Sequence, residues 1–399
     1  MKQHASLELR VSIDIGCRHH NVAIGLSSGE ILDEFSIAHV PEGFRQFFAR
    51  VEKQARRFDC PVAVAMEGYN GYARPLDTLV RAREYRLFNI NNLKLARFKE
   101  IFPGAAKTDA LDARKGLELF QLRDHLPMAR DVLQEVRATP RENDILKRLS
   151  RRRRRLVDER TRVLNNLQAD LQAVCPGLLE ITGRADNLWF LRLLTSTRDL
   201  RKLACMRKST LCKIAGIGNK YASVVCDWQK RAQFSDEVEW VGEMIQEDAA
   251  RVLELHDRIR SLEARMETVA KDSSIAKTLS TIPGFGTVCT AELAGEIGTI
   301  ERFGSEESLA LYVGMANLDN SSGNQKGSKP PRQVNTRAKA AMMIAVDRHR
   351  KQVPQSQRYY EKKRGEGKKH NQTIRALGRH LCRIIFKMLK DNRGYRLLQ

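Results

Sequence analysis

The chain has 399 residues, enough for roughly two or three domains with a sizeable buried core. Its 70 Lys and Arg stand against 48 Asp and Glu, giving a formal charge of +22 and a pI near 9.9; an excess of that size attracts polyanions, so nucleic acid is the expected partner. No apolar run approaches bilayer length, the leading MKQHASLELR lacks a signal-peptide core, and the eight cysteines include no CxxC pair, so no membrane partner, secretory route or zinc ribbon is expected and the cytoplasm is the expected compartment.

In chain order, LRVSIDIG, NVAIGL and EILDEFSI read as three short strands, with SSGE as a hairpin turn between the last two. A helix is expected over residues 41–57, then PVAVAM as a buried strand, a helix through ARPLDTLVRAREY and a strand at RLFNIN. Three strands, a helix, then strand, helix, strand is the order of the ribonuclease H fold, although actin-like ATPases begin the same way. That second reading needs phosphate-gripping glycine motifs on a related second half, and no convincing second copy is present. His19 and His20 read as turn or surface residues, having no ligand spacing around them.

Four acidic residues punctuate this region. Asp14 lies in SIDIG, Glu67 ends VAVAMEG, and Asp109 and Asp112 sit three apart in KTDALDAR, where Thr108 can cap a helix beginning at Asp109. Two lie where a strand gives way to glycine, and an i, i+3 pair shares one helix face. Gathered carboxylates need a cation, and hard oxygen ligands select Mg²⁺ or Mn²⁺. Singly, Asp14 reads as a turn residue and the aspartate pair as first-turn carboxylates favoured by the helix dipole; jointly, in fold order, they point to phosphodiester chemistry. Lys107 and Arg114 read equally as phosphate contacts or ordinary exposed cations, and Tyr69 and Tyr72 as packing residues before base-stacking ones.

From Asn143 to Val174 the chain turns helical and basic, including the run Arg151, Arg152, Arg153, Arg154, Arg155; five consecutive arginines reach every side of a helix. Leu146, Leu149, Leu156, Val163, Leu167 and Val174 keep a broken heptad rhythm. A cleaner one places Ile245, Val252, Ile259 and Met266 in one set and Leu255, Leu262 and Val269 in the other. Two such helices suggest a coiled-coil arm framing residues 176–234. LCKIAGIGNKYASVV and LSTIPGFGTVCTAEL form a weak repeat, a glycine turn before a helix similar to the helix-hairpin-helix motif. Last come a polar loop, NLDNSSGNQKGSKPPRQVNTR, and a tail that from Arg332 onward carries 19 Lys or Arg against four Asp or Glu. The tail is a principal electrostatic footprint, and Lys326, Arg332 and Arg337 join the arginine run as candidate nucleic-acid contacts.

SIDIG, AMEGYNGY, KTDALDAR and IPGFG together resemble the DEDD transposases of the insertion-sequence-one-hundred-and-ten family, which includes bridge-RNA-guided recombinases and pilin-gene DNA invertases. The resemblance covers both ends of the chain. It implies an α/β ribonuclease H-like (RuvC-like) catalytic domain at 1–130, a helical coiled-coil region at 131–275 with an insertion at about 176–234, and a mainly α-helical transposase domain at 276–399. It further implies that Asp14, Glu67, Asp109 and Asp112 hold Mg²⁺ or Mn²⁺, and that a serine before a glycine is the nucleophile. In LYVGMANLDNSSG that residue is Ser322, with Ser321 adjacent; MANLD departs from the threonine-proline and basic residues common in the family. The implied partners are donor and target DNA, a structured guide RNA and further copies of the chain in a dimer or tetramer. Transposition and inversion are both open, as is a junction-resolving nuclease using water; an architectural nucleic-acid-binding protein is the reading without catalysis.

Overall fold

A computed structural model describes residues 7–67, 71–100, 109–125, 132–319, 327–329, 331 and 334–396, with backbone alone at Leu93, Asp109, Ala110, Asp319 and Ser328. The chain divides into two compact units, residues 1–138 and 139–399.

In the first unit β1 (Leu9–Ile15), β2 (His19–Leu26) and β3 (Ile31–Ala38) form an antiparallel meander, followed by α1 (Pro41–Phe58). Then come β4 (Val62–Glu67), α2 (Arg74–Ala82), β5 (Arg86–Ile90), α3 (Asn92–Lys99), α4 (Asp109–Leu122) and β6 (Leu133–Glu135). The six strands are ordered β3-β2-β1-β4-β5-β6, with β4 parallel to β1, β5 parallel to β4, and β6 antiparallel to β5. This order is consistent with a ribonuclease H-like domain. The sequence pattern places the first five strands; α3 and β6 are additions to it.

Alternation assigns the two faces. Leu9, Val11 and Ile13 of β1 pack with Phe44, Phe47 and Phe48 of α1 and Leu76 and Val80 of α2. Ser12 and Asp14 belong to the opposite face, where the small residues Ala63 and Ala65 pack with Phe88, Leu95 and Phe120. There α4 comes very close: a Cβ on Gly116 would stand 2.4 Å from Ser12 Oγ. Buried Arg10 anchors the other end of α4, donating to the carbonyl oxygens of Phe120 (2.8 Å) and Gln121 (3.2 Å) and pairing with Asp124, where a cation complements the helix C-terminus.

His20 departs from the turn or surface position expected of it. Strand β2 starts two residues before NVAIGL because His20 pairs with Ile15 in the ladder, and its ring is fully buried with Nε2 2.8 Å from His39 Nδ1. Burial first, then the neighbouring imidazoles of His39 and His19, pushes its pKa down to about 4.

The second unit is mainly helical. Helix α5 (Arg141–Val174) leads to the short α6 (Leu188–Leu194), α7 (Lys208–Leu211) and α8 (Asn219–Gln229), then to α9 (Val238–Ala270). Along the two long helices Leu146 shares a core with Met266, Leu156 with Leu255 and Ile259, and Leu171 with Ile245, so α5 and α9 run antiparallel. The heptad positions are thereby buried against each other within one chain. The segment 176–234 is a helical cap on the end of this pair: Phe190, Leu191, Leu194, Leu203 and Trp228 continue the same core, and Ser235 N donates to Val174 O (3.0 Å) at its base.

Around the opposite end lie α10 (Ser274–Ser280), α11 (Thr287–Ile297), α12 (Glu306–Tyr312), the short pair β7 (Leu318–Asp319) and β8 (Ser328–Lys329), α13 (Thr336–Gln352), α14 (Pro354–Gly365) and α15 (His370–Lys390). Helix α11 is buried throughout from Cys289 to Ile297, and a Cβ on Gly295 would meet the Lys147 backbone nitrogen at 2.4 Å, so α5 crosses it at backbone contact. The middle helices and the C-terminal helices therefore share one core. The two glycine turns have matching geometry, Gly216 at φ +93° before α8 and Gly284 at φ +85° before α11, where a side chain would be strained. The first is exposed; the second packs on the His349 backbone.

Candidate metal centre and nucleic-acid surface

Asp14 and Glu67 are register partners on the parallel strands β1 and β4, at the ends where both chains leave the sheet. Register partners share a face on strands about 4.8 Å apart, and here it is the face covered by α4. Asp112 lies in the first turn of α4, one turn before Gly116, which rests on Ser12. The contact brings Asp112 over the strand ends. Lys99, the last residue of α3, completes the group: its Nζ lies 3.4 Å from Glu67 Oε2 and 3.1 Å from Asp112 Oδ1, with the three side chains 20%, 22% and 15% exposed. Asp109 opens α4 three positions before Asp112; its side chain lies outside the described residues. Among the described residues no three His, Cys, Asp or Glu side chains are already drawn together tightly enough to hold an ion.

The arginine run divides by helix face. Arg151 donates twice to Glu296 (2.7 and 2.9 Å), Arg154 to Glu292 (3.1 and 3.4 Å) and Arg153 to Glu263 (2.7 Å). Arg152 and Arg155 are exposed and enter no ion pair among the described residues. Arg337 is exposed in the first turn of α13. Ser321, Ser322, Lys326 and Arg332, like Lys107 and Tyr69, lie outside the described residues. Arg114 is bound to Glu34 at 2.6 and 2.8 Å, and Tyr72 is 62% exposed.

One feature of the site carries no clear sequence signal. Lys99 sits in LKLARFKE among other basic residues, with nothing to separate it from a solvated cation. The buried carboxylates of α11 were more legible, because Glu292 and Glu296 stand four apart in an otherwise apolar helix. Glu296 Oε2 also accepts from Asn335 Nδ2 (2.7 Å), while Asn335 donates its second N–H to Tyr312 Oη (2.7 Å) and caps α13 through Oδ1. A fully bonded amide thus fixes the point where the chain re-enters the helices after the polar loop.

Carboxylates at the ends of the central strands of a mixed sheet, in a chain with a strongly basic helical unit, are consistent with the class of enzymes that act on nucleic-acid phosphodiesters. Residues 11–176 match a family model described as a transposase, of the DEDD and IS110 type, and residues 276–361 match one described as the transposase of the IS116/IS110/IS902 family. The chain belongs to the IS110 family of transposases. It is 25% identical over 394 residues to the 43.6 kDa protein of insertion element IS110 from Streptomyces coelicolor, covering 96% of this chain and 95% of that one. It is likewise 25% identical over 393 residues to the 44.8 kDa protein of insertion element IS116 from Streptomyces clavuligerus, with the same shares covered, and 27% identical over 346 residues to the 42 kDa protein of insertion element IS900 from Mycobacterium paratuberculosis, covering 82% of each. The enzyme is a DNA transposase. No helix among the described residues is long and apolar enough to cross a membrane.

Proposed function

We propose that Asp14, Glu67, Asp109 and Asp112 hold Mg²⁺ or Mn²⁺ in a RuvC-like centre and that Ser322 is the nucleophile that cuts and rejoins DNA. The observation that carries the metal reading is the register pairing of Asp14 with Glu67, with Asp112 drawn to the same place through Lys99. The donor set fits: hard anionic oxygens, with no imidazole or thiolate among them, suit Mg²⁺ or Mn²⁺ over zinc. When bound, the ion polarises the scissile phosphate and makes a nearby hydroxyl a better nucleophile.

Ser322 Oγ forms an ester with the scissile phosphorus as the bond to the leaving deoxyribose oxygen breaks, and the serine proton is returned overall to the released hydroxyl. The phosphoserine keeps the bond energy for rejoining, with no high-energy cofactor. Arg152, Arg155, Lys326, Arg332 and Arg337 neutralise backbone phosphates. The family resemblance supports the remaining parts: donor and target DNA, a structured noncoding RNA as guide, a dimer or tetramer in the cytoplasm, and a functional division of the second unit into a coiled-coil middle and a transposase domain. Inversion of a DNA segment is the alternative outcome of the same chemistry.

The test is capture of the covalent intermediate on labelled element-end DNA with Mg²⁺, read on a denaturing gel. A protein–DNA adduct that disappears in Ser322→Ala supports the reading. An adduct persisting in that variant moves the role to Ser321 or another residue, and cleavage by the native protein without any adduct identifies a nuclease using water.

A further inference from the structure

Lys99 is an unusual neighbour for a metal centre. Its ammonium is shared between Glu67 (3.4 Å) and Asp112 (3.1 Å), carboxylates that come from the end of a strand and the first turn of a helix 45 residues further on. An ammonium offers three donors without a fixed geometry, so it can satisfy two carboxylates at once and relieve the repulsion between them. Helix α3 delivers it there. Asn91 caps the start of α3 by accepting from Lys94 N (3.2 Å), Leu95 is buried against Phe88 and Phe120, and Lys99 ends the helix, where a cation is favoured. The side chain is 20% exposed, which leaves its flexible stem a route toward solvent.

We propose that Lys99 is a built-in counter-ion that stands in for the divalent cation, holding Glu67 and Asp112 together in the metal-free protein and leaving when the ion binds. The inference rests on the metal reading above. A divalent ion that uses the remaining oxygens of these two carboxylates comes within a few ångströms of the ammonium, and the repulsion between the two cations drives the lysine out. Lys99 therefore weakens apparent metal affinity while protecting the metal-free fold. It gates metal loading and is not a ligand.

The experiment uses the full chain without DNA. Mn²⁺ binding is measured by the loss of the free-ion electron paramagnetic resonance signal, and thermal unfolding is followed with and without Mn²⁺. Lys99→Met keeps the length and apolar stem but loses the charge. It is expected to bind Mn²⁺ about tenfold more tightly than the native chain, to melt lower without metal, and to regain the native melting temperature at saturating Mn²⁺. That recovery also shows the variant is folded. Lys99→Arg, which keeps the cation, is expected to stay within about twofold of native affinity. Equal or weaker Mn²⁺ binding by Lys99→Met overturns the proposal, provided that the native chain binds and Asp14→Asn does not. If instead the native chain fails to bind, or Asp14→Asn binds as well as native, the metal reading falls and the role of Lys99 falls with it.

Discussion

Each unit of this protein brings carboxylates together, and the two sets are treated in opposite ways. In the helical unit Glu292 and Glu296 are 3% and 0% exposed, and each has its own arginine, Arg154 and Arg151; Glu296 has Asn335 as well. In the α/β unit Glu67 and Asp112 are partly open to solvent and share a single lysine. Burial with a dedicated partner for each charge is how a fold tolerates acids in its interior. Partial exposure with a shared counter-ion leaves oxygen lone pairs free for an incoming cation. On the function proposed above, the difference separates acids that hold the fold from acids kept for an ion and its substrate, a distinction that residue type cannot make.

The largest expected effect follows directly. Asp14→Asn or Glu67→Gln should lower DNA strand cleavage by about a thousandfold, a loss of several kcal/mol of charge stabilisation at the reacting phosphate. Both variants should stay folded without metal, because each side chain keeps its size and Lys99 keeps Asp112 as a partner in Glu67→Gln. Glu292→Gln, folded, should still cleave. Cleavage surviving in both Asp14→Asn and Glu67→Gln would erase the contrast.

Next in size is Glu296→Gln, which leaves Arg151 facing a neutral amide and should cost the folded state about 3 kcal/mol in urea unfolding at neutral pH. Although burial alone would push it up, the hydrogen bonds from Arg151 and Asn335 hold the Glu296 carboxyl below the usual range. Its contribution is therefore present above the ordinary carboxylate value of 4.5 and lost as pH falls through its lower folded value. Glu292 goes the other way: burial outweighs Arg154 and raises its pKa, so its ionised form costs stability as pH rises from 4.5 through the raised value. Glu292→Gln should accordingly be the milder change at pH 7, and equal losses for the two variants would show that their environments do not differ as described.

Much of the α/β unit was legible because strand alternation and glycine breaks are local signals: β1, β4 and the start of α4 fall where SIDIG, VAVAMEG and TDALDA place them. The pairing of Asp14 with Glu67 was not local, since register depends on which strands become neighbours. Lys99 was invisible for a related reason: a lysine in a basic helix has no signature until the fold shows what it meets. His20 was misread because a polar residue beside a turn looks exposed, and ladder pairing with Ile15 outweighed that preference. The heptads marked the correct seams in α5 and α9, but periodicity alone cannot say whether the partner helix lies in the same chain. Here the buried faces of α5 and α9 close on each other within one chain.

The smallest predicted effect concerns the arginine run, where sequence could say that some side chains need a partner but not which. At 100° per residue, positions three apart share a helix face. Arg151 and Arg154 thus face α11 and its buried glutamates together, Arg153 meets Glu263 of α9, and Arg152 and Arg155 share the remaining side. The first three have their charges balanced inside the fold, so replacing them should register in stability first. Arg152→Ala/Arg155→Ala should leave folding stability within about 0.5 kcal/mol of native. If both guanidiniums sit on phosphates, the same double variant should flatten the slope of log binding constant against log salt by about 1.8, since each neutralised phosphate contributes near 0.9 on a duplex. Binding to a short DNA duplex over a salt series measures this, with Arg151→Ala/Arg154→Ala at a temperature where it stays folded as the control. A slope that flattens in the control and not in Arg152→Ala/Arg155→Ala would mean that nucleic acid pulls Arg151 and Arg154 away from Glu296 and Glu292, making those pairs latches on the helical core.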